Sequence, residues 1–78
     1  MIQLYNILKD LPDGFWIKLR KGDHERTLRV TVIYTNPIGL EYIHCKEFTN
    51  EFLEHADPKH INLVIQESVT KVKQRARL

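Results

Sequence analysis

The 78-residue chain predicts an α+β fold: an N-terminal helix, a three-stranded antiparallel sheet, then a short helix and a long C-terminal helix packed on one sheet face. Three observations predict it. Apolar residues recur at helical spacing at both ends of the chain, and between them they alternate with polar residues as in strands. Proline and glycine fall at the passages between these periodic stretches. An antiparallel sheet with one apolar face, followed by amphipathic helices, is satisfied when the helices cover that face.

The first helix is expected over Ile2–Leu11. Leu4, Leu8 and Leu11 follow the i, i+4, i+7 spacing, and Tyr5 and Ile7 widen the stripe. Pro12-Asp13-Gly14 stops it, because proline cannot continue a helix and glycine accepts turn conformations. A β-hairpin over Phe15–Thr35 follows, with Gly22-Asp23-His24-Glu25 as its polar connection. Strand side chains point to alternate faces, so Phe15, Ile17, Leu19, Leu28, Val30, Val32 and Tyr34 form an apolar face. Trp16, Lys18, Arg20, Thr27, Arg29, Thr31 and Ile33 form the other.

Asn36-Pro37-Ile38-Gly39 reads as a second turn into a third strand, Leu40–Glu47. Thr49 caps a short helix from Asn50 to about Ala56, with Phe48 and Leu53 placed as a hydrophobic staple. Asp57 and Pro58 open the last helix, which runs to about Arg77. Asp57 accepts free N-terminal amides, and Pro58 sits where its missing N–H costs nothing. Its inner stripe is Ile61, Val64 or Ile65, Ser68 or Val69, Val72 and Ala76. Helix, three strands and helix resemble the double-stranded-RNA-binding domain in element order. That family's last helix opens on a phosphate-gripping lysine cluster, whereas here Asp57-Pro58-Lys59-His60 carries one lysine and a short extra helix precedes it.

Length allows one compact domain, residues 1–78, with a modest core. A single cysteine excludes an internal disulfide and points to a reducing compartment, the cytoplasm. No stretch approaches the roughly 20 apolar residues of a membrane span, and no secretory leader opens the chain, which reads as a stand-alone product with no membrane partner. Net charge is only +2 but unevenly spread: residues 1–36 sum to +2, residues 37–58 to −4 and residues 59–78 to +4. A dedicated nucleic-acid binder is usually more basic.

Chemistry-bearing motifs are missing. His44, Cys45, His55 and His60 fit no zinc spacing, and neighbours on a strand point apart, so no metal or cofactor is expected and Cys45 reads as buried or half-buried. Cys45 has no histidine and acid placed beside it by any spacing, and the three glycines fall at turns without forming a phosphate loop, so no enzyme activity is expected. What remains is a candidate binding face: Trp16, Lys18, Arg20, Arg29 and Ile33. Trp16 has two readings, as a core or edge-packing residue and as an interface anchor, the latter favoured by the enrichment of Trp and Arg in interfaces.

The third strand decides that face. In one register Tyr42, His44 and Lys46 join it, giving an aromatic and basic platform for nucleic acid. In the other, preferred because it buries the larger apolar residues, Leu40 and Tyr42 face the helices. Glu41 and Glu47 then land beside the hairpin's basic residues, and Ile43 is left outside near Ile33 and Trp16. Lys71, Lys73, Arg75 and Arg77 are secondary candidates, with Tyr42 and His44. Their spacing of two spreads them around the helix, and cations there also suit its dipole. The expected function is protein–protein binding, as an adaptor or inhibitor of a larger protein, of the compact type common in phages and mobile elements. The alternative is nucleic-acid binding through the sheet face and the basic helix. A homodimer through an edge strand is compatible with either.

Overall fold

The computed structural model describes residues 11–78, so the expected helix over Ile2–Leu11 lies, up to its last residue, outside the described residues. Three strands, β1 (Phe15–Lys21), β2 (Thr27–Thr35) and β3 (Glu41–Thr49), form an antiparallel sheet in the order β1-β2-β3. Two helices follow, α1 (Asn50–His55) and α2 (Pro58–Ala76). Among the described residues, no helix is long and apolar enough to cross a membrane.

The register explains the core. Leu28, Val30, Val32 and Tyr34 of β2 stand opposite Lys21, Leu19, Ile17 and Phe15 of β1 and opposite Phe48, Lys46, His44 and Tyr42 of β3. Directly paired residues share a face, so these rows make the inner face. α2 packs over its β2 and β3 part. Val30, Val32, Phe48 and Leu53 bury against Ile61, Ile65, Val69 and Val72. Of the alternatives in the helical stripe, Ile65 is buried and Val64 half-buried, while Ser68 and Val69 are both buried. Phe15, Tyr34 and Tyr42 extend this face as an aromatic row, with ring centroids 4.9 and 6.4 Å apart.

Element ends are set by local chemistry. β3 runs two residues beyond the expected Glu47, because Phe48 and Thr49 still pair with Leu28 and Thr27. Leu40 falls before it, its N–H donated to Asn36 Oδ1 within the turn. The Thr49 hydroxyl accepts from Phe52 N at 3.0 Å, and Asp57 accepts from Lys59 N at 2.9 Å, each filling the N-cap role its side chain suits. α1 ends one residue short of the expected Ala56, which is its C-cap. Phe48 and Leu53 both bury, and Phe48 also stacks on Phe52 at 5.7 Å. α2 closes with Arg77 in the left-handed conformation, its N–H returned to the Gln74 and Lys73 carbonyls.

A candidate binding surface on the open sheet face

The face turned away from the helices is built from three cross-strand rows: Trp16–Ile33–Ile43, Lys18–Thr31–Cys45 and Arg20–Arg29–Glu47. This is the register that sends Tyr42 inward. The aromatic and basic platform therefore does not form, since Tyr42 and His44 lie on the inner face and Trp16, Lys18, Arg20 and Arg29 on the outer one.

The first row is apolar. Trp16 is 44% exposed and Ile43 is 47% exposed, with Ile33 between them at 5%. The reading of Trp16 as a core residue is overturned. Its parity with Lys18 and Arg20 holds it on the outer face, where its indole N–H reaches Thr35 Oγ1 at 3.4 Å. Ile33 is corrected too. It sits on the central strand between Trp16 and Ile43 and forms the floor of their row, largely buried where an exposed contact residue was expected. Ile43 takes its place at the surface.

In the second row Cys45 is exposed, contrary to the expected burial. It shares Ile43's outward parity, and its Sγ lies 3.3 Å from the Thr31 hydroxyl. Lys18 stands beside it. The three rows border a shallow groove of about 250 Å³ whose lining includes Lys18, Arg20 and Arg29 together with Ile33, Ile43 and Cys45.

The third row was expected to neutralise itself through Glu47. Arg29 does stand opposite Glu47, yet its guanidinium pairs with Asp23 from the hairpin loop. Glu47 turns to the same loop. Its Oε1 accepts from the Thr27 hydroxyl at 2.5 Å and from His24 N at 3.1 Å, with His24 Nδ1 at 3.4 Å. The Thr27 hydroxyl, and after it the His24 amide, hold the Glu47 carboxyl down to about 2 from its ordinary 4.5. Gly22 makes room for this arrangement: a Cβ there would come within 2.1 Å of Thr27 Oγ1 and 2.2 Å of Glu47 Oε1. Among the described residues, no carboxylate lies within ion-pair distance of Lys18 or Arg20. The open face is thus an apolar knob-and-floor row beside two unpaired cations, with Arg29 and Glu47 held by the loop.

The secondary candidates separate. On the helical wheel Lys71 and Arg75 fall on the side toward β3 and Lys73 on the opposite side, while Arg77 is the left-handed cap beyond the helix. Arg75 donates to the Ile43 carbonyl, which blunts the free edge of β3. His44 Nδ1 meets the Ser68 hydroxyl at 3.1 Å. Burial, then the Lys71, Arg75 and Lys46 charges, push the His44 imidazole below its ordinary 6.5. Lys46, Asp23 and His24 were missed as participants. Strand parity would have placed Lys46 with His44, whereas nothing in a loop sequence tells which strand residue it folds back on. Among the described residues, no three His, Cys, Asp or Glu side chains are grouped to hold a metal ion. His55 and His60 lie on α1 and α2, away from the outer face that carries Cys45. No family model, curated protein or solved structure matches the chain.

Proposed function

We propose that the protein is a non-enzymatic binding module that docks on a larger protein through the open sheet face, acting as an adaptor or inhibitor. The observation that carries this reading is the Trp16–Ile33–Ile43 row, in which two large apolar side chains stand about half exposed over a buried floor. Large exposed apolar groups bordered by charge are the usual makeup of a protein contact. Trp and Arg are also the residues that most often dominate binding energy.

The partner this face fits presents an apolar socket for Trp16 and Ile43, flanked by carboxylates for Lys18 and Arg20. Rim charges of this kind mainly set association rate and salt dependence, while the tryptophan sets affinity. The test is to isolate the partner with the wild-type protein, purify both, and measure binding calorimetrically. Trp16→Ala is expected to cost about 2 kcal/mol or more. Arg20→Glu is expected to slow association and weaken its salt dependence. A partner bound equally well by folded Trp16→Ala and Arg20→Glu proteins overturns the reading. Light scattering of the protein alone tests the competing occupant, a second copy paired along an edge strand.

A further inference from the structure

We propose that the seam between β3 and α2 binds a single strand of nucleic acid, its phosphates meeting Lys46, Lys71 and Arg75 and one base seated beside Phe52 and His60. This surface is separate from the open sheet face, and the proposal does not rest on the docking reading above.

The cations arise from two periodicities meeting along one line. His44 and Lys46 are two apart on β3, so both point to the inner face at its edge. Lys71 and Arg75 are four apart on α2, one above the other on the side toward β3. Lys46, Lys71 and Arg75 are all exposed. All three lie near enough to His44 for their charges to help lower its pKa. Arg75 uses part of its fork on the Ile43 carbonyl and keeps other N–H donors, since a guanidinium has five. Among the described residues, no carboxylate pairs with any of the three. Glu67, one turn before Lys71, is the acidic residue nearest along the helix and makes no ion pair with it.

Exposed cations grouped along one line, without carboxylate partners among the described residues, attract an anion. The shape then selects among anions. The cations are strung along a seam and do not converge in a cup, which suits a chain of phosphates. At the Lys46 end the seam opens into a hollow of about 360 Å³ lined by Lys46, Phe48, Phe52, His60 and Val64. Phe52 and His60 meet edge to face at 5.6 Å, offering aromatic surface to a flat base. Glu47 at the rim is already held by Thr27 and His24. A basic track leading to aromatic side chains is how single strands are bound without sequence readout, whereas bases in a duplex are paired and cannot enter such a hollow.

The test is fluorescence anisotropy with labelled oligothymidylate against the full chain, across a salt series at pH 7. Binding is expected, with log K falling against log salt at a slope of roughly −2 for three phosphate contacts. Lys71→Glu and Lys46→Glu are each expected to abolish binding at moderate salt, and the milder Lys71→Ala to reduce the slope by about 0.7. Trp16→Ala is expected to leave it unchanged, which keeps this outcome distinct from failure of the docking reading. In NMR titrations the oligonucleotide should raise the His44 pKa, since a phosphate counters the charges that lower it. Absence of binding at low salt overturns the proposal, as does binding indifferent to both lysine reversals. Inorganic polyphosphate bound as tightly as the oligonucleotide overturns the base contact, and tighter binding of duplex overturns the single-strand assignment.

Discussion

The outer face of β2 and the seam on the other side of β3 both carry cations, but the hairpin loop reaches only one of them. On the outer face Asp23 takes Arg29 and Glu47 is held by Thr27 and His24, while among the described residues no carboxylate pairs with Lys18 or Arg20. On the seam Lys46, Lys71 and Arg75 crowd His44, and their one ordered partner is a backbone carbonyl. The difference teaches that counting basic residues on a strand does not locate a charged surface. What matters is whether a neighbouring loop supplies a carboxylate, and here the loop pairs with Arg29 alone. The apolar contrast runs the opposite way. The inner face buries Val30 and Val32 almost completely, while the outer row leaves Trp16 of β1 and Ile43 of β3 about half in water.

Substitutions can break or sharpen this contrast. The largest effect belongs to the inner face. Ile65→Ala removes a fully buried side chain from between helix and sheet and should cost about 2–5 kcal/mol in urea denaturation. In a domain this small, that is a large share of the total stability. Gly22→Ala comes next. Its Cβ would drive into Thr27 and Glu47, where the loop is tied to β3, and should cost about 1–3 kcal/mol as an overpacking strain. It should also release the Glu47 carboxyl toward its ordinary pKa, visible by NMR titration. A Gly22→Ala protein with unchanged stability and unchanged Glu47 titration would remove the loop from the account of the outer face.

The seam predicts a pH dependence of definite sign. The folded protein holds His44 below 6.5, so it favours the neutral imidazole. The contribution is fully present above pH 6.5 and is lost as pH falls from there through the lower folded value. Lys71→Ala removes one of the repelling charges and should move the His44 titration upward toward 6.5. Glu47, held down to about 2, works lower: its contribution is present above about pH 4.5 and is lost on approach to 2. The smallest effect is on the outer row. Ile43→Ser, at a half-exposed position with no core contact, should change stability by within about 0.5 kcal/mol. A large loss there would mean that the row serves the fold and would undercut it as a docking surface.

Much of the architecture was legible in the residues. Asp57-Pro58 and Thr49 named the starts of both helices because capping is local chemistry. Strict alternation in β1 and β2 sorted the two sheet faces. Other features were not legible. Cys45 was expected inside and stands outside. Trp16 was read both as a core or edge-packing residue and as an interface anchor, and the register took it out of the core. Ile33 was grouped with the contact residues, yet its flanking neighbours turn it into their floor.

The sequence by itself determined the order of the three strands and the two helices after them, the helix caps and which residues of each strand share a face, because these depend on backbone preferences and periods of a few residues. The tertiary structure alone decided which parity of β3 faces α2, since Glu41–Thr49 carries apolar residues on both sides and only pairing with β2 breaks the tie. It also decided which cations are neutralised. Asp23 and Arg29 are brought together by hairpin geometry, and Lys46, Lys71 and Arg75 by the seating of a helix against an edge strand. Charges act through space, and spatial neighbours far apart in the chain exist only once it has folded.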